Sequence, residues 1–210
     1  MFSFHSQFMK KKQLEILLQN IPQISDPKPH LEQYQTSASI AADILFLAYQ
    51  FDDIVNKTIC DLGCGTGLFA IGAALIGAKT SSGIDIDQHC ITQAKQYAKA
   101  HQLAIDFITQ DVANVTGSYD TVFMNPPFGA QKSNLQADRR FLEKACSIAG
   151  VIYSLHLSET IPFVEKLLTA LQCKIYYHKT YDFPIKWQFE FHTKPVKSYR
   201  VSLIRICHSQ

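Results

Sequence analysis

Residues 57–67 read KTICDLGCGTG and residues 81–87 read SSGIDID, and these two stretches taken together decide the fold. Lys57 to Leu62 is an apolar run of strand length. Gly63, Gly65 and Gly67 interrupt it, and Leu68, Ile71, Ala74 and Leu75 then recur at helical spacing. Ser81 to Ile86 is a second strand, and Cys90 to His101 a second helix with Ile91, Ala94, Tyr97 and Ala98 on one face. Working outward, strands are expected at Ile105 to Thr109, Tyr119 to Met124, Gly150 to Leu155, Lys174 to Thr180 and Tyr199 to Ile206. Helices are expected at Asp138 to Ser147 and Ser158 to Leu171. Strands alternating with helices dictate an α/β, Rossmann-like, doubly wound and mostly parallel seven-stranded sheet. No helical pattern separates the last two strands, so the last strand is expected to run antiparallel. Ahead of the sheet, Gln7 to Gln19 has the pattern of an amphipathic N-terminal helix, and Pro22, Pro27 and Pro29 mark an extended connection to Leu31-Glu32-Gln33-Tyr34.

A chain of 210 residues with 47% apolar content can bury one substantial core, so a single domain is expected, with an N-terminal segment over 1–36 and the sheet domain over 37–210. Met1 to Lys12 lacks the apolar run of a signal peptide, and no later stretch is long enough to span a bilayer; the expectation is a soluble protein inside the cell. Cys60, Cys64, Cys90, Cys146, Cys173 and Cys207 form no CxxC pair and have no histidine at ligand spacing, so reduced thiols and no metal are expected. The net charge of +2 points to no partner class, but from Lys174 to Arg205 seven bases stand against two acids. Such a strip can face phosphates or be a solvated surface.

Glycines at the turn from strand to helix let the backbone approach a ligand closely. Asp85, eighteen residues after Gly67, ends the second strand, where an acid accepts hydrogen bonds from both hydroxyls of an adenosine ribose. Asp111 closes the third strand at the height of the adenine amino group. With Asp61, Gly63 and Gly65, these residues outline one nucleoside pocket at the carboxyl edge of the sheet. A pyrophosphate disfavours an acid beside it, whereas a methionine moiety with its ammonium tolerates Asp61 ahead of the glycines. DLGCGTG followed by GIDID resembles the class I S-adenosylmethionine-dependent methyltransferases, and S-adenosyl-L-methionine is the cofactor that the resemblance implies.

Asn125-Pro126-Pro127-Phe128 directly follows the fourth strand. Two prolines stiffen the loop, so the Asn125 side chain and the Pro126 carbonyl can point into one cavity and accept both N–H bonds of a planar amine. Phe128 would stack on the ring. A plain turn with an aromatic packed beneath it uses the same residues, but the position at a strand end resembles the amino-group methyltransferases of adenine, cytosine, guanine or the glutamine amide.

Residues 31–37 (LEQYQTS), 152–156 (IYSLH) and 181–184 (YDFP) together resemble the small archaeal and eukaryotic methyltransferase-like proteins that make N6-methyladenosine in small-subunit ribosomal RNA. In that family the LEQYxT segment lies over the cofactor. By resemblance, Gln33 and Thr36 would contact it beside Gly63, Thr66, Leu68, Asp85 and Asp111, and Asn125, Pro126, Pro127 and Phe128 would hold the adenine. Gln35 departs from the family's usual proline, with its side chain expected to face outward. The resemblance also implies a small zinc-containing methyltransferase activator protein as heterodimer partner, pairing along Ile105-Asp106-Phe107-Ile108, and a cytoplasmic location, or a nuclear one as well in a eukaryote.

His156 ends a strand near the site and is read as a structural histidine. Trp187, Phe189 and Phe191 read first as a half-buried strand and second as stacking platforms beside Lys186 and Lys194. The polar stretch Gly129 to Arg140 is either a flap over the substrate or a surface loop. Two other functions fit parts of the pattern: a protein N5-glutamine methyltransferase acting on a release factor, and a binding module that keeps the sheet without the chemistry.

Overall fold

The computed structural model describes residues 9–128, 137–185 and 197–209. Seven strands form one sheet: β1 (Thr58–Leu62), β2 (Thr80–Asp85), β3 (Asp106–Thr109), β4 (Tyr119–Met124), β5 (Ala149–Leu157), β6 (Cys173–Ile185) and β7 (Lys197–His208). Their order across the sheet is β3-β2-β1-β4-β5-β7-β6. The first five are parallel, and β7 runs antiparallel between β5 and β6. The Rossmann-like, mostly parallel sheet with an antiparallel last strand is therefore as expected. Strands β6 and β7 run well past the predicted bounds, because their antiparallel register continues from Cys173 opposite His208 to Ile185 opposite Lys197.

Helices α1 (Lys11–Gln19), α2 (Ala38–Gln50), α3 (Leu68–Ile76), α4 (Gln88–Ala100), α5 (Ala137–Ile148) and α6 (Ile161–Ala170) cover the sheet. The inner strand β4 is buried on both faces and reads as a nearly unbroken apolar run, with Val122 and Met124 in one layer and Phe123 in the other. Phe123 belongs to the buried cluster of the α1–α4 layer, stacked between Phe69 and Tyr153, and Val122 belongs to the cluster that also holds Leu142 and Val164 of α5 and α6. Each such fully buried side chain contributes on the order of 1.5–3 kcal/mol.

Two local expectations are corrected. The N-terminal helix starts at Lys11, not Gln7; Lys10 is its cap, and Gln7 and Phe8 lie outside the described residues. Helix α2 was not expected at all. It buries Ile40, Ala41, Ala42, Ile44, Leu45 and Ala48, a width of apolar surface that erases the one-sided period by which a helix is recognised. Its start was nonetheless marked, since the Ser37 side chain accepts the Ile40 N–H at 3.3 Å, as an N-cap does.

The chain leaves β1 toward β2 and β3 on one side, and leaves β4 toward β5 on the other. Between the carboxyl ends of β1 and β4 the two loops diverge and leave a crevice, where open α/β sheets bind ligands. At one margin, β3 is an edge strand with Phe107 turned inward and Ile108 42% exposed. Among the described residues no helix is long and apolar enough to cross a membrane, and no cluster of side chains could hold a metal ion. All six cysteines are free thiols.

Candidate active site

A cavity of about 250 Å³ fills the crevice. The loop after β1 makes its floor. Gly63, Gly65 and Gly67 have φ of +70°, +53° and +87°, left-handed values that a side chain resists. At Gly67 a Cβ would also stand 2.6 Å from the Phe107 ring, so the loop is held to glycine by packing as well as by torsion.

Gly67 caps α3 without a side chain to offer, and Asp61 supplies what is missing. Its Oδ2 accepts the N–H groups of Phe69 at 3.1 Å and Ala70 at 3.0 Å, satisfying donors that a helix start leaves open. Asp61 is 1% exposed, and burial, reinforced by the nearby Asp85 charge, pushes its carboxyl up to about 7 despite these bonds.

Asp85 ends β2 and reaches both ways. Its Oδ2 accepts Gly65 N–H at 2.8 Å and its Oδ1 accepts Asp87 N–H at 2.8 Å; burial raises its pKa. A carboxylate has about four lone-pair sites, so acceptor capacity remains for a ligand. Asp111 accepts Ala113 N–H at 2.8 Å and lines the cavity beside Val112, while Ile86, 54% exposed, offers an apolar wall.

The connection between α1 and α2 forms the roof. Gln33 donates to Asp87 Oδ2 at 2.8 Å and accepts Lys28 N–H at 2.7 Å, and Lys28 Nζ pairs with Asp87 Oδ1 at 2.8 Å. These contacts hold the Asp87 carboxyl down to about 2, against the effect of burial. Gln35 does not face outward as expected: its amide accepts Ile24 N–H and donates to Thr66 Oγ1, each at 3.3 Å, tying the roof to the glycine loop.

At the end of β4, the Asn125 Nδ2 donates to the Tyr34 carbonyl at 3.0 Å and to Thr36 Oγ1 at 3.2 Å. Both donor positions of the amide are thereby used, and its orientation is fixed. Its Oδ1 is buried and has no hydrogen-bond partner among the described residues.

Gln33, Thr36, Asp61, Gly63, Gly65, Thr66, Leu68, Asp85 and Asp111 all line this one cavity, and Asn125 and Pro127 join them. Pro126 and Phe128 do not. Phe128 is 9% exposed, stacked on Tyr34 at 6.3 Å between ring centroids and edge-on to Phe183 at 6.2 Å. Phe128 thus packs behind the cavity, and the aromatic rings that line it are those of Tyr34, Phe69 and Phe141.

Ile24 and Phe141 also line the cavity without having stood out in the sequence, and so do Tyr34, which could stack on a target or brace the connection, and Arg140, at the end of the stretch read as a flap or a surface loop. The roof motif carried a signal for Tyr34. Ile24 and Phe141 arrive from distant segments with no local mark. His156 lies off the cavity and is fully buried, with Nε2 2.6 Å from Ser154 Oγ. Two cations of the basic strip are already neutralised, Lys179 by Asp43 at 2.5 Å and Arg205 by Asp53 at 2.8 Å. Trp187, Phe189, Phe191, Lys186 and Lys194 lie outside the described residues, as do residues 129–136.

Comparison with known proteins agrees with this geometry. The model of the methyltransferase small domain family matches residues 39–149. The rRNA N(6)-adenosine-methyltransferase METTL5 of Danio rerio is 38% identical over 206 residues, covering 94% of this chain and 98% of its own. An uncharacterized protein of Methanocaldococcus jannaschii is 40% identical over 210 residues, 94% of each chain. The crystal structure of a candidate RNA methyltransferase from Pyrococcus horikoshii superposes with a TM-score of 0.88 at 34% identity, covering 97% of this chain and 100% of that one.

Proposed function

The chain belongs to the methyltransferase small domain family, and from that premise we propose that it transfers a methyl group from S-adenosylmethionine to the exocyclic N6 of an adenosine in small-subunit ribosomal RNA. The observation that carries the reading is the buried Asn125 Oδ1, an acceptor on the cavity with no partner among the described residues. Leaving such a group unmet costs about 1–3 kcal/mol, which an incoming N–H donor removes.

The residues present suit the cofactor. Asp85 has acceptor capacity for ribose hydroxyls, Asp111 stands beside the apolar Ile86 and Val112 as an adenine would require, and the glycine loop admits close backbone approach. Gly63, Gly65, Thr66 and Leu68 would hold it from the floor, Gln33 and Thr36 from the roof, with Asp61 beneath. When bound, S-adenosylmethionine supplies a methyl group on positively charged sulfur.

The chain's own part is positioning. An exocyclic amine on a conjugated ring is a poor nucleophile, because its lone pair is delocalised into the ring. The Tyr34 carbonyl and Thr36 Oγ1 fix the Asn125 amide so that Oδ1 accepts an N–H of the amine, which raises electron density on nitrogen and sets its direction. The stiff Pro126-Pro127 pair keeps this acceptor in place. Asn125 cannot take a proton, so the proton leaves to solvent after transfer. No covalent intermediate with the protein is needed.

The β3 edge, with Ile108 exposed, suits strand pairing with the small zinc-containing activator protein, and this chain alone should be poorly soluble. The expected workplace is the cytoplasm. The test is methyl transfer from labelled S-adenosylmethionine to deproteinised small-subunit RNA, with and without that partner, followed by nucleoside analysis. Label in N6-methyladenosine supports the proposal, and label on a release factor with none in RNA replaces it by glutamine methylation.

A further inference from the structure

His156 is a polar side chain for which the chemistry above has no use, yet it stands next to the site. Ser154 is in register with Met124, so His156 lies two residues further along β5, beside the loop that starts at Asn125. It is fully buried. Its Nε2 is satisfied by Ser154 Oγ at 2.6 Å, whereas its Nδ1 lies 3.5 Å from Asp138 Oδ1. Neither of these last two atoms has a hydrogen-bond partner among the described residues. Buried polar groups are rarely left unmet, and this separation exceeds a hydrogen bond by only a few tenths of an ångström. With Asp138 able only to accept while ionised, the matching arrangement is Nδ1–H donating to Asp138 and Nε2 accepting the Ser154 hydroxyl.

Asp138 belongs to the first turn of α5, and that turn forms part of the cavity wall. Phe141 packs 3.1 Å from the point where a Cβ on Gly63 would stand. Arg140 lines the cavity, is exposed, and is its only cation among the described residues, against Glu32, Asp61, Asp85 and Asp111. One turn on, Lys144 Nζ donates to the Val115 carbonyl at 2.8 Å and anchors the middle of the helix. The start of α5 thus faces β5 where Asp138 and His156 approach to 3.5 Å. An anion arriving at this mouth finds one guanidinium, and the anion that accompanies a target base in RNA is a backbone phosphate.

We propose that His156 is a positioning residue: through Asp138 it sets the first turn of α5, and so holds Arg140 where it meets a phosphate of the RNA substrate. This rests on the RNA reading of the cavity. The test uses the full chain with its partner and the variants Asp138→Ala, His156→Gln, His156→Asn and Arg140→Ala. Asp138→Ala and His156→Gln should each raise KM for RNA about tenfold, the equivalent of one hydrogen bond to a charged group, with kcat and cofactor affinity unchanged. His156→Asn keeps an N–H on the Nδ1 side and should restore most of the loss. Arg140→Ala should raise KM as well, and adding Asp138→Ala to it should do no further harm, because both changes act through one contact.

Full additivity in the double variant, an unchanged KM, or equal damage from His156→Gln and His156→Asn would overturn the inference. A wild-type protein that leaves RNA unmethylated would sink the RNA reading, and with it the role of Arg140 toward phosphate. The histidine pair is judged separately in ¹⁵N-histidine spectra, where an Nδ1–H resonance of His156 should be present in wild type and lost in Asp138→Ala. An identical resonance in that variant refutes the pairing whatever the substrate.

Discussion

Replacing Asn125 by Ala removes two bonds and one acceptor at once. The lost bonds run from Nδ2 to the Tyr34 carbonyl at 3.0 Å and to Thr36 Oγ1 at 3.2 Å. Each neutral bond contributes about 0.5–1.5 kcal/mol, so the variant should lose roughly 1–3 kcal/mol of stability. The lost acceptor is Oδ1, which meets the target amine in the proposed reaction. Misplacing a reacting group by about an ångström costs on the order of a hundredfold, so kcat should fall by at least that much. Cofactor affinity should change little, because Asn125 makes no hydrogen bond to Gly65, Asp85 or Asp111 among the described residues. Thermal denaturation, single-turnover methyl transfer and calorimetry with S-adenosylmethionine read the three effects separately. Asn125→Asp sharpens the test, because its second oxygen would face the Tyr34 carbonyl, acceptor against acceptor. Wild-type kcat in either variant would refute the role of Asn125. A loss of cofactor affinity as large as the loss of rate would show that the cavity had collapsed instead.

Three further outcomes follow from the same geometry. Gly67→Ala puts a Cβ 2.6 Å from the Phe107 ring at φ +87° and should destabilise the chain by roughly 2–5 kcal/mol, read as a lower denaturation midpoint; an unchanged midpoint contradicts the packing described. Asp61 holds its proton in the folded chain up to about pH 7, against an ordinary value of 3.8, so the folded state binds more protons between these limits. Cofactor-free stability should therefore fall as pH rises from about 4 to about 7, and Asp61→Asn, measured by denaturant titration across that range, should flatten the slope. Asp85→Ala should weaken S-adenosylmethionine binding by at least about tenfold in calorimetry, since it removes a charge-assisted acceptor; undiminished binding would place the ribose elsewhere.

The convergence of the residues expected around a cofactor was legible because the sheet topology turns sequence order into spatial order. Strand ends in a parallel sheet all face one crevice, so Gly63, Asp85, Asp111 and Asn125, each read at the end of a strand, had to converge. What local sequence could not show was contact between distant segments. Phe128 is read beside Asn125 in the sequence, and only the fold brings Tyr34 and Phe183 against its ring. Gln35 looks like a neutral departure from a proline until Ile24 and Thr66 meet it from either side. Arg140 and Phe141 belong to a helix whose place over the glycine loop is set by tertiary packing. Helix α2 escaped notice for a different reason: an apolar surface too wide to leave a one-sided period.

The most direct measurement of the central claim is N6-methyladenosine in small-subunit ribosomal RNA from cells lacking this gene, restored with wild type or with Asn125→Ala. The account predicts that the modified nucleoside is absent from the deletion, returns with wild type and stays absent with the variant. Its persistence in the deletion strain, or its return with Asn125→Ala, would contradict the account.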